Sequence, residues 1–262
     1  MPDLFWPVRV FRRRDLVLMR EVARVHHQAL DQGTALGYLW SLIHPLIMLS
    51  VLYFTFRHRV GAGIPHYPIF LLIGVVQFTN FSKCVNAGMR SLRQMRALVT
   101  GVIFPKEILV YSAILVKTPE FVVSMIVTIG IALAIGTPGT PALLAVPLVI
   151  LLQLLCVTWA GLFLSIGYVF VRDLDHIYEV GMRILFFVTP VIFTMDQAGP
   201  TVRQVLAFNP LSHLIGYTRT LVIEGRLPSL PGMAAFALVN LLLLYLGMLL
   251  FRRSELLVME RI

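Results

Sequence analysis

Charged residues are scarce in this chain: 13% of its 262 residues are Asp, Glu, Lys or Arg, against about 25% in a typical soluble domain. With a hydrophobic content of 58%, that shortage excludes an ordinary water-soluble globule. Cysteine is nearly missing. Cys84 and Cys156 both fall inside apolar runs, so they read as small hydrophobes, with neither a disulfide framework nor a zinc spacing. No GxxxxGK[ST] loop occurs, so the chain does not cradle a nucleotide phosphate by itself. HExxH and CxxC are absent too. The histidines, His26, His27, His44, His58, His66, His176 and His213, are scattered without metal-ligand geometry. No catalytic residues, no metal and no bound cofactor are expected. The N-terminus has no apolar h-region ahead of its basic cluster, which argues against a cleavable signal.

Long apolar runs are what the chain has in abundance. A bilayer core needs about 20 apolar residues. Six segments qualify: 36–56, 68–84, one within 108–135, 142–171, 177–195 and 233–251. Trp40 and Tyr53 mark the two ends of the first, as an aromatic belt would. Gly136 to Pro141 reads as the turn between the third and fourth. Residues 11–32 are too charged to cross. Leu18, Val22, Val25 and Ala29 form a helical stripe there, which predicts an amphipathic helix lying in the membrane interface. The fold class is therefore all-α integral membrane, with six transmembrane helices and an N-terminal interface helix. Residues 1–35 form the tail and interface helix, 36–251 the membrane domain and 252–262 a C-terminal tail.

The net charge of +9 does not indicate nucleic acid. Its basic residues flank apolar runs, where they set topology and meet anionic membrane lipid. With the N-terminus cytoplasmic, inner segments carry 14 basic residues: Arg9, Arg12, Arg13, Arg14, Arg20, Arg24, Arg90, Arg93, Arg96, Lys106, Arg172, Arg252, Arg253 and Arg261. Outer segments carry 5: Arg57, Arg59, Arg203, Arg219 and Arg226. Both termini are thus expected in the cytoplasm.

The polar stretch 90–107 interrupts the apolar runs on that side. Leu92, Met95, Val99 and Val102 recur at helical spacing, so it predicts a short amphipathic helix limited by Gly101 and Pro105. The long outer segment 196–232 holds an apolar run too short to span. It reads as a pair of short helices dipping into the outer leaflet, the second starting at Asn209-Pro210. Pro45, Pro119 and Pro190 fall inside spans one, three and five, where each removes a backbone donor. Gly161 with Ser165, and Gly130 with Ala134, permit close helix approach. Lys117 and Glu120 share a face in span three, and Glu179 and Arg183 do so in span five. Charges inside a membrane are functional suspects, and snorkelling at span ends is the structural alternative.

Several stretches together resemble the permeases of polysaccharide-exporting ABC transporters. Leu36-Gly37-Tyr38-Leu39-Trp40 with Pro45 is similar to their LGxxW…P at the first span. Phe104-Pro105-Lys106-Glu107-Ile108-Leu109 resembles FPxEIL. Phe170-Val171-Arg172-Asp173 followed by His176-Ile177 resembles FxRDxxHI, Thr189-Pro190-Val191-Ile192 resembles TPVI, and Asn209-Pro210-Leu211 resembles NPL. The order is the family's and the match covers nearly the whole chain. Relatives of this kind are the Wzm O-antigen permeases, with KpsM capsule and TagG teichoic acid permeases close by. Gln77-Phe78-Thr79-Asn80 departs from the Trp-containing segment usual in span two.

The resemblance implies a homodimer in the bacterial inner membrane and two ATP-binding cassette subunits of the Wzt type, which bind ATP and magnesium. It implies an undecaprenyl-diphosphate-linked glycan as substrate, exported from cytoplasm to periplasm. The ATPase would then press on residues 91–104 and on the Arg172 turn. Arg93, Arg96, Phe104, Pro105, Glu107, Arg172 and Asp173 are the coupling candidates. Tyr38, Trp40, Phe78, Phe81, Lys117 and Arg183 are the pathway candidates, with Arg12 to Arg14 as a further diphosphate contact. A capsule or teichoic acid permease, a lipid or drug permease, a secondary transporter without an ATPase, and a membrane enzyme on lipid-linked sugar are the alternatives.

Overall fold

The structure, a computed structural model, describes Glu21 and residues 39–101, 104–171 and 173–261. Glu21 apart, the interface helix expected over 11–32 lies outside the described residues, as do Tyr38, Arg172 and Arg12 to Arg14. Every regular element among the described residues is helical. Hydrocarbon offers no partner for a backbone N–H or C=O, and a helix satisfies both internally.

Among the described residues, four helices are long and apolar enough to cross a membrane. They are α2 (Tyr67–Gln94), α4 (Glu107–Ala134), α5 (Val146–Phe170) with the 3-10 turn Pro141–Ala145 ahead of it, and α9 (Leu230–Arg261). Two apolar helices are shorter: α1 (Leu39–Phe56) has 18 residues and α6 (Leu174–Val188) has 15. At 1.5 Å per residue these reach about 27 and 22 Å, less than a hydrocarbon core of about 30 Å.

Segment 177–195 is not the single bent helix expected from its apolar run. α6 stops at Val188, and Thr189 is extended (φ −78°, ψ 142°). The reason is steric: a residue before proline is pushed out of the helical region by the pyrrolidine ring. Pro190 thus ends the helix, whereas Pro45 and Pro119 stay inside theirs. Stretch 90–107 also differs from expectation. α2 runs on to Gln94, the chain bends at Met95 (φ −107°, ψ 34°), and only α3 (Arg96–Gly101) forms a separate short helix. Burial explains the extension, because Ser91 and Leu92 lie in the core beside the rest of α2.

α2 is the centre of the bundle. Every residue from Ile69 to Phe78 is buried, as befits a helix surrounded on all sides. It packs on α4, α5 and α1, and α9 packs on α5. Gly88 of α2 and Gly161 of α5 let the two backbones approach closely. A Cβ on Gly88 would stand 3.2 Å from the Gly161 Cα and 3.2 Å from the Ile114 Cδ1 of α4.

The helices leave two distinct ends. At the basic end, Arg93 Nη2 donates to the Val169 carbonyl (3.3 Å), and Arg90 pairs with Asp175 (2.7 Å). At the opposite end, Thr140 Oγ1 donates to the Gly225 carbonyl (2.9 Å) and Gln197 Nε2 to that of Val60 (3.2 Å). Gly136 turns the chain there at φ +93°, a conformation that favours glycine. Two short helices, α7 (Pro200–Phe208) and α8 (Pro210–Val222), pack at that end. The Asn209 side chain accepts from the Leu211 N–H (3.0 Å) with Pro210 at the first helical position, a strong start signal. Leu211, Leu214, Ile215, Thr218 and Val222 form the buried face of α8.

Candidate functional site

Several charged residues at the basic end fasten the chain to itself. Arg93 is spent within the chain: besides its bond to Val169, its guanidinium lies 4.4 Å from the Tyr168 ring centroid. Glu107 is buried and pairs with Arg252 of α9 at 3.3 Å. Lys106 covers the Phe104 ring, its Nζ 4.3 Å from the centroid. Burial lowers the Lys106 ammonium below its ordinary value, and Glu255 opposes that shift. The turn at Phe104 and Pro105 is therefore clamped against the last helix. Arg96 and Asp173 are exposed on the same end.

Deeper in the bundle, Glu120 of α4 sits between two lysines. Its Oε1 is 3.2 Å from Lys117 Nζ and its Oε2 is 3.3 Å from Lys83 Nζ of α2. The pairing of Lys117 with Glu120 follows from their spacing, but Lys83 is an addition that only the packing of α2 on α4 supplies. A crevice of about 20 Å³ opens beside this group, lined by Pro45, Thr79, Asn80, Lys83, Glu120 and Ser124, which is room for about one water molecule. Glu120→Gln should leave two ammonium groups facing each other, lowering stability by about 1–3 kcal/mol. Adding Lys83→Met should recover part of that loss in thermal melts of the purified chain.

From there a buried polar thread continues along α2. Asn80 Oδ1 accepts from Gln153 Nε2 of α5 (2.9 Å), and Gln77 Nε2 donates to Thr218 Oγ1 of α8 (2.6 Å). In hydrocarbon each such group needs a partner, so these bonds fix how the helices meet. Asn240 does the same for α9, accepting from Trp159 Nε1 of α5 (2.8 Å). Sequence reasoning missed Gln77, Gln153 and Asn240. Their signal was available: amides stranded in apolar runs need one another.

Just over half of α6 is exposed; its buried residues are Tyr178 and Phe186. Tyr178 OH donates to the Ser82 carbonyl (2.8 Å), and Phe186 meets Phe78 edge-on with centroids 5.1 Å apart. His176, Glu179 and Arg183 recur three and four residues apart on the exposed surface. Glu179 does not pair with Arg183. It turns to Arg90 at 3.7 Å, because α2 brings that arginine to the first turns of α6. Among the described residues Arg183 has no ion pair.

The remaining pathway candidates separate by burial. Trp40 is 50% exposed, whereas Phe78 and Phe81 are buried within the chain. Lys117 is half-buried in the carboxylate pair described above.

The sequence pattern of the ABC-2 type transporter family matches residues 32–222. An O-antigen export system permease protein, RfbA, of Myxococcus xanthus is 29% identical over 228 residues, covering 86% of this chain and 88% of the relative. A protein of the same name from Klebsiella pneumoniae is 24% identical over 197 residues, covering 75% and 76%. The polysialic acid transport protein KpsM of Escherichia coli is 24% identical over 228 residues, covering 84% and 86%.

Proposed function

Because the chain belongs to the ABC-2 type transporter family, we propose that it is the permease subunit of a polysaccharide exporter. It works as a homodimer in the bacterial inner membrane, with both termini cytoplasmic and six spans, α1 and α6 being the two short ones. ATP and magnesium bind to two separate cassette subunits of the Wzt type. The cargo is an undecaprenyl-diphosphate-linked glycan, O-antigen in the first place, carried from cytoplasm to periplasm. Capsule glycan is the second reading, supported by the similarity to KpsM.

The observation that carries this reading is the exposed polar stripe of α6. His176, Glu179 and Arg183 run from the basic end into the body of the helix, amid exposed Ile177, Val180, Ile184 and Phe187. An unpaired arginine facing acyl chains is costly, so such a face belongs against a wet conduit. A second copy across that face encloses the conduit, and Arg183 meets the diphosphate through charge-assisted hydrogen bonds. Trp40, exposed near the start of α1, supplies a sugar-stacking surface.

At the basic end, the clamp of Glu107 on Arg252 passes a push on the 104–107 turn to α9. Packed helices shift as units, so the movement reaches the bundle whole. Arg96 and Asp173 face the ATPase, while Arg93 holds α2 to α5. Arg96→Glu should reduce permease-stimulated ATPase activity of the assembled complex about tenfold. Arg93→Glu should lower the melting temperature instead. Purification from the native host tests the whole reading: an ATPase should copurify, and the isolated chain should not hydrolyse nucleotide. Glycan transport by the chain reconstituted alone would overturn it.

A further inference from the structure

Arg219 was counted above among the outer charges that set topology, yet it lies in the core with 8% of its surface exposed. No carboxylate pairs with it among the described residues. Its guanidinium is held by backbone carbonyls from two other elements. Nε and Nη2 donate to the Phe70 carbonyl of α2 at 3.3 and 2.9 Å. Nη2 also donates to the Val191 carbonyl at 2.8 Å, and Nη1 to that of Pro190 at 2.7 Å. The guanidinium carbon stands 3.2 Å from the Phe70 ring centroid.

The local chemistry explains the arrangement. Where α6 stops at Val188, the carbonyls that follow have no helical donor. A planar fork of donors satisfies several of them at once, which a lysine ammonium does not match. Gly74 leaves the space: a Cβ there would meet Arg219 Nη2 at 3.1 Å and Val191 Cγ1 at 3.0 Å. Other bonds fasten the same parts. Asn209 Nδ2 donates to Thr189 Oγ1 (2.8 Å), Tyr67 OH to the Ile192 carbonyl (3.1 Å), and Gln77 Nε2 to Thr218 Oγ1 (2.6 Å).

We propose that Arg219 is a positioning residue that locks the α7–α8 hairpin, the break after α6 and the start of α2 into one rigid body. The end of the pathway opposite the ATPase then opens by movement of that body as a unit, not by α8 peeling away from the break. This rests on the export reading above. With charge-assisted bonds in a water-poor interior, the joint is stiff.

Amide hydrogen exchange on the full chain tests the lock without reference to transport. Arg219→Met should raise exchange about tenfold in residues 210–222 and in 189–194 together. Arg219→Lys should give a smaller rise in both. A rise in one segment without the other, or in neither, overturns the lock. A second test leaves Arg219 in place. Thr189→Cys with Asn209→Cys, in a chain with Cys84→Ala and Cys156→Ala, is assembled with its ATPase and compared oxidised and reduced. Export should proceed equally in both forms; if oxidation stops export and reductant restores it, the hairpin must separate from the break and the rigid-body claim fails. Failure of the export reading itself is distinguishable, because the unsubstituted chain would then show no ATPase-driven export while its exchange behaviour stood.

Discussion

Replacing Gly88 with leucine is expected to remove the folded protein from the membrane fraction. The two glycines at the α2–α5 crossing leave no slack: the first side-chain atom on Gly88 already comes to 3.2 Å from the Gly161 Cα. That neighbour is backbone and does not rotate away. Ile114 Cδ1 stands at the same distance; as the end of a side chain it can turn, but the backbone atom cannot. Overpacking a core costs about 1–3 kcal/mol, occasionally more, and a glycine-to-leucine change at a backbone contact belongs at the top of that range. Total stabilities are only about 5–15 kcal/mol. Yield and thermal melting in detergent measure the loss. Gly130→Leu is the matched control, since nothing lies within 4 Å of its Cβ position. A melting temperature for Gly88→Leu equal to that of the control would show that α2 and α5 do not meet in this way.

Arg183→Ala is expected to do the reverse, sparing the fold and cutting export at least about tenfold, a barrier change of about 1.4 kcal/mol. Arg183 is exposed on α6 and has no ion pair among the described residues. It stands nine residues along the helix from Leu174, about 14 Å from its start. Removing it breaks no ion pair among the described residues, so stability should hold. Export in cells and melting of the purified chain separate the two effects. A collapse in yield with normal transport per molecule would make Arg183 a structural residue.

The membrane class and the longest spans were legible because hydrocarbon imposes length and apolarity on one contiguous stretch. The pair of short helices α7 and α8 was legible for a different reason: Asn209-Pro210 is a local start signal, and local signals survive in sequence. The fate of charged residues was less so. Lys117 and Glu120 are three apart, so their pairing follows from helix geometry alone. Glu179 prefers Arg90, and Glu107 prefers Arg252, because tertiary packing brings together residues far apart in the chain. Arg219 shows the limit most clearly. Counted by position, it is one more surface charge; its burial depends on carbonyls freed by Pro190, almost thirty residues earlier. The six-residue α3 was obscured by the burial of Leu92, which draws the end of α2 past the point where apolarity alone would stop it.

α9 has a consequence of a different kind. It is 32 residues without interruption, about 48 Å of rod, and its middle is fixed in azimuth by Asn240. The stretch beyond Phe251 is held against the chain's own basic end, where Arg252 pairs with Glu107 and Val258 is buried. Each residue of phase rotates its tip by about 100°, so the compass bearing of Glu255 and Val258 is set by a count of residues and not by any flexible joint. The 104–107 turn, tied to that stretch through Arg252, therefore follows the roll of the whole helix.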